Sequence, residues 1–304
     1  MHLMATYSIV ARDAATGNLG VAAQSHYFGV GAVVTWAEPG VGAVATQALA
    51  DLGYGPRGLE RLRGGAAAGE ALRVLVAEDE GRELRQVALV DAAGGVAVHT
   101  GKACVAVAGH RTGDGYSVQG NMLRSEGTWD AMAAAYEAAE GELADRMIAA
   151  LHAAEGAGGD VRGRQSAALR VVSSQRSDRP WEEKRADLRV DDHRDPVGEL
   201  ARLLAIERAN QRMDCALVSC RSGEFDVALE HQAAARELRP EDPQIRFWAG
   251  VVLMYAGRDT EARDSFRVAF AADPGWRELL RRLGPAGLLP NASAWVEEVL
   301  GSER

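Results

Sequence analysis

Short apolar runs separated by turn residues dominate the first two thirds of the chain. The first two runs lie at 6–13 and 20–26, on either side of Ala15-Thr16-Gly17-Asn18, and both are too short for the repeating apolar pattern of a helix. They therefore predict two strands joined by a hairpin, since Gly and Asn favour the positive φ of a tight turn. The same pattern predicts further strands at 31–36, 40–47, 86–90, 95–99, 104–107, 116–119, 166–172 and 188–190.

Apolar residues recur at helical spacing in a second set of segments. In the segment 67–77, for example, Ala71, Leu72, Leu75 and Val76 form one apolar face. The strands come first as hairpins and the helices follow in groups, which argues against a regular parallel doubly wound sheet. The order favours an α+β fold with antiparallel sheets and helices packed outside them. The other predicted helices lie at 56–63, 128–139, 143–154 and 196–204.

The sequence changes character near residue 209, where small residues begin to recur at one fixed spacing. Four pairs lie 34 residues apart, which is the period of the tetratricopeptide repeat. The pairs are Gly223 and Gly257, Ala228 and Ala262, Ala235 and Ala269, and Pro240 and Pro274. We therefore predict a helical repeat domain at 207–304, closed by a capping segment at 276–300, after a first domain at 1–206. The alternative is an ordinary helical tail in which the spacing arises by chance.

Composition and charge exclude several classes of protein. The 34 basic and 43 acidic residues give a net charge of −9 without a basic cluster, so we expect no nucleic-acid partner. Three cysteines, Cys104, Cys215 and Cys220, form neither a disulfide framework nor a paired metal-ligand spacing. No apolar run reaches membrane-spanning length and the first residues do not resemble a signal peptide, so we expect a cytoplasmic protein without membrane contact.

Polar residues at the strand ends are the first candidates for chemistry. Thr6 would become a nucleophile if its own α-amine were freed to act as the base; otherwise it is a β-branched residue that opens a strand. His26, at the end of the second strand, is a candidate general base, although a hydrogen-bonded surface histidine is the simpler interpretation. Gln24, Thr46 and Gln47 end strands in the same way and would converge on one edge if those strands are neighbours.

Two later segments carry further candidates. Asn121, beside a flexible glycine, is either a candidate oxyanion donor or a residue that stabilises a turn. In the glycine-rich segment 158–166, Arg162 and Arg164 can bind a carboxylate or pair with the acids of the segment 191–193. The sequence Asp-Asp-His of that last segment suggests a divalent metal, but adjacent strand residues alternate between faces, so we assign no metal site.

Taken together, these blocks resemble a bacterial family known as domain of unknown function 1028, which is similar to the N-terminal-nucleophile (Ntn) hydrolases. The resemblance extends from Thr6 to Leu204. It implies an αββα sandwich, in which two antiparallel sheets stack between helix layers. Its ordered motifs include Thr6-x-Ser8-Ile9-Val10-Ala11-Arg12-Asp13, Gln24-Ser25-His26, Tyr54-Gly55-Pro56-Arg57-Gly58, His99-Thr100-Gly101, Gln119-Gly120-Asn121-Met122, Gly163-Arg164-Gln165-Ser166 and Arg189-Val190-Asp191-Asp192-His193.

The resemblance also implies a mechanism. In Ntn hydrolases the residue that opens the first strand attacks an amide carbonyl, its free α-amine carries the proton, and water hydrolyses the acyl-enzyme. Thr6 matches that position, but five residues precede it, so trimming or autoproteolysis would have to expose its amine. The catalytic residues that we predict are Thr6, Gln24, His26 and Asn121, and the substrate-binding residues are Ser25, Thr46, Gln47, Arg57, His99, Gln119, Arg164, Asp192 and His193.

These expectations lead to three functional hypotheses. The first is an amidohydrolase that cleaves an amide bond of a small or peptide-like substrate without a cofactor. The second is a non-catalytic small-molecule-binding protein on the same fold, because the amine of Thr6 is not free in the chain as written. Hydrolysis by a metal at 191–193 ranks last. We expect the repeat domain to bind a protein or peptide segment, or to pack on the first domain, and the chain to form a homo-oligomer.

Overall fold

The computed structural model describes residues 2–289 together with residues 296, 299 and 300. These residues form eleven strands, arranged in two antiparallel sheets, and nine helices. The chain divides into two compact units, Met1–Leu203 and Leu204–Arg304, and the described strands all belong to the first. The α+β class and the antiparallel sheets predicted from the sequence are therefore confirmed. No helix of the described residues is long and apolar enough to cross a membrane.

The elements follow the predicted order, with hairpins first and the helices in groups. The strands are β1 (His2–Met4), β2 (Thr6–Arg12), β3 (Leu19–Ser25), β4 (Thr35–Glu38), β5 (Gly42–Ala50), β6 (Arg85–Asp91), β7 (Val96–Thr100), β8 (Gly109–Gly113), β9 (Tyr116–Asn121), β10 (Ser166–Val172) and β11 (Lys184–Val190). The helices are α1 (Tyr54–Arg63), α2 (Ala68–Glu78), α3 (Thr128–Ala138), α4 (Leu143–Gly156), α5 (Pro196–Arg221), α6 (Phe225–Leu238), α7 (Pro243–Tyr255), α8 (Asp259–Ala272) and α9 (Gly275–Leu283).

The six-stranded sheet contains the hairpin predicted at the start of the chain. Its strand order is β11-β10-β3-β2-β9-β8, so β2 lies in the middle with β3 and β9 as its neighbours. Along β2, successive side chains point to opposite faces of the sheet. Val10 packs in the core between the two sheets, whereas Tyr7 lies against Gly159, in the loop after α4. Thr6 and Ser8, which alternate with Tyr7, therefore face the other sheet.

Helices cover the outer faces of both sheets. On the five-stranded sheet, Leu59 of α1 and Leu72 and Leu75 of α2 share a buried cluster with Val44 and Leu89 of the sheet. On the six-stranded sheet, α3 packs against β8 and β9, and α4 packs against β2, β3 and β10. Because both faces of the central strands are covered, apolar residues point to both faces, as the buried neighbours Ile9 and Val10 of β2 do.

The residues directly before Thr6 belong to the five-stranded sheet. β1 pairs antiparallel with β5, with Met4 opposite Ala48, along the same edge of β5 that β4 occupies further on. The chain then passes through Ala5 into β2, so it changes sheets directly before Thr6. Ala5 and Thr6 are both fully buried, and the peptide bond between them is therefore enclosed by the two sheets.

Two predicted strands differ from the structure. The strand predicted at 31–36 is wrong over its first half, because Val30–Ala32 forms a 3-10 turn and β4 begins later. A Cβ at Gly31 would come within 2.6 Å of the Cβ of Ala168, so this position of the turn has room only for glycine. The strand predicted at 104–107 does not form. β8 follows it instead, and its mostly exposed residues carry no apolar alternation that a sequence pattern could detect.

α5 continues to Arg221 instead of ending at residue 204, because no Gly or Pro interrupts 199–221. The predicted capping segment at 276–300 begins in α9, and its residues 290–295, 297 and 298 lie outside the described residues.

The second unit is helical throughout its described secondary structure. Gly223 and Gly257 both lie in turns between helices, with φ of 79° and 70°. These two positions are 34 residues apart, and only glycine adopts such a backbone without strain. The alanines of the repeated pairs are all fully buried: Ala228, Ala235, Ala262 and Ala269.

Candidate active site at the strand ends around Thr6

The strand ends around Thr6 bring several predicted residues together. Thr6 lies at the start of β2, opposite Ser25 of β3 and Asn121 of β9 in the register of the sheet. The hydroxyl of Ser25 donates a hydrogen bond to the carbonyl oxygen of Ala5, and Nη2 of Arg162 donates to the same oxygen at 3.3 Å. The carbonyl that precedes Thr6 thus accepts two hydrogen bonds, an arrangement that polarises a carbonyl for attack.

A buried carboxylate holds the Arg162 guanidinium in this position. Asp160 is 1% exposed and accepts hydrogen bonds from the backbone N–H of Arg162 at 2.9 Å, from its Nε at 3.2 Å and from its Nη2 at 3.0 Å. Its second oxygen also accepts from the backbone N–H of His26 at 2.9 Å. Asp160 therefore ties together the loop 158–163, the end of β3 and the donor that reaches Ala5.

Gln24 and His26, both predicted to be catalytic, lie at the edge of this cluster. Gln24 is the register partner of Tyr7, so its side chain points away from Thr6, to the outer face of the sheet. The ring of His26 is exposed, and its Nδ1 lies 3.3 Å from the carbonyl oxygen of Arg164. The cluster thus uses the backbone N–H of His26, and its imidazole faces the loop and solvent.

The space between the sheets next to Thr6 contains a network of buried amide and hydroxyl groups. Gln47 of β5 accepts a hydrogen bond from Ser8 at 2.6 Å and donates one to Gln86 at 2.8 Å. The same amide nitrogen of Gln47 donates to the carbonyl oxygen of Thr6 at 3.2 Å. Gln86 also accepts from Nδ2 of Asn121 at 3.0 Å. Because Asn121 uses its nitrogen here, its Oδ1 is buried without a hydrogen-bond partner among the described residues.

Gln119 extends this network along β9. Its Nε2 donates to the hydroxyl oxygen of Ser8 at 2.7 Å, and its Oε1 accepts from Ser117 at 2.7 Å. Gln86 donates in addition to a backbone carbonyl of β9. Gln47, Gln86 and Gln119 are each held by two or more partners, so the network fixes the facing strands without using any charged group.

Two residues beside the network have an unusual backbone conformation. Ala48 and Met122 have φ of 69° and 56°, and no other non-glycine residue in the described part of the chain has a positive φ. Each directly follows a predicted site residue, Gln47 and Asn121 respectively. Such conformations cost about 1 kcal/mol or more and cluster at functional sites. Their position supports a functional role for this end of the two sheets.

Three other predicted residues form local contacts away from Thr6. Arg57 of α1 pairs with Asp51 at 2.9 Å. Thr46 donates to the backbone carbonyl of Asp51 at 3.0 Å, because it alternates with Gln47 and faces the helix side of β5. Nε2 of His99 lies 2.8 Å from the carbonyl oxygen of Arg82. None of these contacts leads to the cluster around Thr6.

The predicted pair Asp192 and His193 follows β11. Asp192 accepts from Nε2 of Gln165 at 3.1 Å, and Nδ1 of His193 lies 2.8 Å from the carbonyl oxygen of Asp195. Asp191 pairs with the arginine two residues before it at 3.0 Å. Within the residues that the structure describes, no three His, Cys, Asp or Glu side chains are grouped as metal ligands. The acids and histidine of 191–193 therefore do not converge on one point.

Three residues of the site are not among those that the sequence predicts. Asp160 lies in the glycine-rich segment two residues before Arg162, and its own charge is the signal that could have found it. Gln86 opens an otherwise apolar strand, where a lone amide indicates a polar contact in the interior. Glu155, which lines a cavity on the outer face of the sheet, ends an alanine-rich helix and has no local signal.

Comparison with known proteins finds solved structures similar to this chain. The crystal structure of protein SPO2555 from Silicibacter pomeroyi, a DUF1028 protein, superimposes with a TM-score of 0.59 at 33% sequence identity. The match covers 66% of this chain and 87% of that chain. No curated protein matches this sequence. The family model described as "family of unknown function (DUF1028)" matches residues 6–200, well over half of the chain, and the protein belongs to that family.

Proposed function

We propose that the first unit is an Ntn-type amidohydrolase with Thr6 as its nucleophile, acting on an amide bond of a small or peptide-like substrate. The observation that carries the proposal is the pair of donors, Ser25 and Arg162, on the carbonyl oxygen of Ala5. For an acyl transfer, the Thr6 hydroxyl is the nucleophile and the carbonyl carbon of Ala5 is the electrophile. Ser25 and Arg162 are the oxyanion donors. Two facing antiparallel sheets with helices on their outer faces support an αββα arrangement of the Ntn type.

The first step is cleavage of the chain before Thr6, because the nucleophile has no free amine until then. Oγ1 of Thr6 adds to the carbonyl carbon of Ala5, and Ser25 and Arg162 stabilise the negative charge that develops on oxygen. The C–N bond then breaks, its electron pair and the hydroxyl proton pass to the nitrogen of Thr6, and an ester joins Ala5 to Oγ1. Water hydrolyses this ester, which leaves the carboxylate of Ala5 and the free α-amine of Thr6.

The same donors then serve the substrate reaction. The carbonyl oxygen of the substrate occupies the position vacated by the cleaved carbonyl, Thr6 attacks, and its α-amine carries the proton to the leaving nitrogen. The sequence suggests Asn121 as an oxyanion donor. Its Nδ2 donates instead to Gln86, which leaves Oδ1, an acceptor, without a partner among the described residues. Ser25 and Arg162 therefore take the donor role, and Asn121 is placed to accept a hydrogen bond.

Labelling with an amide-directed electrophile, such as a β-lactone, tests this proposal. We expect peptide mapping to find the adduct on Thr6 of the mature chain and none on the folded Thr6→Ala variant. Thr6→Ser is the matched control, because it keeps a hydroxyl nucleophile and is expected to be labelled. An adduct on another residue, or none on folded protein whose chain starts at Thr6, contradicts the proposal.

One observation favours a second candidate, a non-catalytic small-molecule-binding protein on the same fold. β1 pairs with β5 ahead of Thr6, so the uncleaved chain already forms regular structure where a mature enzyme would have its free amine. A ligand that raises the melting temperature without being consumed, in a chain that keeps β1, would favour this second function over the first.

The second unit is proposed to be a tetratricopeptide-like domain that binds a protein or peptide segment. Its support is the shared spacing of Gly223 and Gly257, both in turns with positive φ, and of the buried alanines Ala228 and Ala262. In this repeat, small residues at such positions let paired helices approach closely. A concave face built from stacked helix pairs suits a helix or an extended peptide.

A further inference from the structure

A cavity of about 210 Å³ lies on the outer face of the six-stranded sheet, between β2, β3 and the loop after α4. It does not share the face on which Thr6 lies, because Tyr7 and Gln24 line it and both alternate with residues that face the other sheet. Its side chains are almost all polar: Tyr7, Gln24, Arg124, Glu155, Asp160 and Arg164.

Several buried polar atoms that line this cavity have no hydrogen-bond partner. Among the described residues, none bonds to the hydroxyl of Tyr7, to either amide atom of Gln24 or to Oε1 of Glu155. Tyr7 and Gln24 are both 0% exposed. Burial and the neighbouring Glu155 carboxyl raise the pKa of Tyr7, so these two groups interact with each other, and the Gln24 amide is the group left without any partner. Polar groups buried in this way normally have partners, so a ligand or ordered water is expected to supply them.

The charges around the cavity are separated by depth. The side chain of Glu155 is only 7% exposed, whereas that of Arg164, which lies 3.5 Å away, is 48% exposed. Arg164 pairs with Glu155 and more weakly with Asp195, at 3.7 Å, and not with the acids at 191–192 that the sequence suggested. Arg124 donates to the carbonyl oxygen of Val161 at 3.0 Å, and within the described residues it has no carboxylate partner. An acid therefore lies inside the cavity and two guanidinium groups lie towards its mouth.

Asp160 does not add a further free acid to the cavity. Its two oxygens already accept from the backbone and guanidinium of Arg162 and from the backbone of His26. The groups with bonding capacity left for a ligand are thus Oε1 of Glu155, the guanidinium groups of Arg124 and Arg164, and the amide of Gln24, whose donor and acceptor are both unused.

We propose that this cavity binds a small α-amino acid with a side-chain amide. The ligand's ammonium group faces Glu155 and its carboxylate faces Arg164 and Arg124, because these pairings match charge with charge. Its amide forms a two-point pair with Gln24, which supplies one donor and one acceptor. A cavity of about 210 Å³ has room for a molecule of amino-acid size.

Isothermal titration calorimetry on the full chain, with L-glutamine and L-asparagine as separate probes, tests the proposal. We expect saturable binding of at least one of them, and a loss of affinity of about tenfold or more in Glu155→Gln and in Gln24→Leu. Both changes are nearly isosteric, and thermal melts confirm that the variants fold. Glu70→Gln, an exposed site on α2, is the matched control and should bind as the wild type does.

The expected binding of an amino acid does not depend on the proposed hydrolase activity. The Thr6→Ala variant should bind the same amino acid with unchanged affinity, because Thr6 lies on the opposite face of the sheet. L-leucine, which has no side-chain amide, should bind at least tenfold more weakly, in about the proportion expected for a lost buried amide pair. No saturable heat with either amide probe, or wild-type affinity in both Glu155→Gln and Gln24→Leu, would overturn the proposal and leave ordered water as the occupant.

Discussion

The two faces of the six-stranded sheet differ in how their polar groups are satisfied near the start of β2. On the inner face, Gln86 and Gln47 hold each other and their neighbours by hydrogen bonds between the sheets. On the outer face, Gln24 is equally buried, and neither atom of its amide has a hydrogen-bond partner among the described residues. Buried polar side chains can therefore have two roles. Those with hydrogen-bond partners hold the strands together, and those without partners are available to a ligand.

Asp160 connects the two faces, and its removal should have the largest effect. It lines the outer cavity and also holds Arg162 on the carbonyl of Ala5. We expect Asp160→Ala to lower the free energy of unfolding by about 3–5 kcal/mol, because it leaves Arg162 and buried N–H groups without their acceptor. Chemical denaturation followed by circular dichroism measures this change.

Asp130→Ala is the matched control for that prediction. Asp130 also pairs with an arginine, at 3.3 Å, but its side chain is 61% exposed. An exposed pair contributes about 1 kcal/mol or less, so this variant should be much more stable than Asp160→Ala. Equal effects of the two substitutions would show that Asp160 does not link the two faces in the way described.

The same substitution on the two faces should have opposite effects. Gln86→Leu removes an amide that accepts from Gln47 and Asn121, and we expect it to destabilise the fold by about 2–3 kcal/mol. Gln24→Leu removes two unpartnered polar atoms, and the expected result lies between no change and a gain of about 1 kcal/mol. Thermal unfolding of both variants in the absence of ligand makes the comparison. A clear destabilisation by Gln24→Leu would contradict the distinction between the faces.

The smallest expected effect is a pH dependence at Glu155. Burial raises the pKa of this carboxyl, although the nearby Arg164 opposes the change. The unfolded chain releases this proton near pH 4.3, at about the ordinary pKa of glutamate, whereas the folded protein keeps it to higher pH. Folded protein therefore binds more protons in that window, so wild-type stability falls as pH rises through it.

Glu155→Gln removes this loss of stability. The melting temperature of the variant, minus that of the wild type, is expected to increase as the pH is raised from 4 to 7. Glu70→Gln provides the control for replacing a glutamate by glutamine at an exposed position of the first unit. A difference that stays flat or decreases for Glu155→Gln would show that the carboxyl is not desolvated in the folded protein.

The sequence predicts the strands and helices better than it predicts the sheet face on which each side chain lies. The hairpin of β2 and β3, both sheets' antiparallel character and most helices follow from local patterns, and the motifs around Thr6 and Ser25 lie on neighbouring strand ends in the structure. Those motifs do not show that Gln24 turns away from Thr6. When both faces of a strand are buried, the sequence pattern does not show which of two adjacent polar residues points to the inner face of the sheet and which to the outer face. Nor does a local pattern reveal Glu155, because it reaches the cavity only through the packing of α4.

The most direct test of the central claim is the intact mass and N-terminal sequence of the purified full-length protein after incubation at neutral pH. We expect wild-type chains to begin at Thr6, and Thr6→Ala chains to keep Ala5 because no hydroxyl is present to attack its carbonyl. Wild-type chains that retain Ala5 and remain folded would contradict it. Thr6 would then have no free amine, and the second function, small-molecule binding without catalysis, would replace the first.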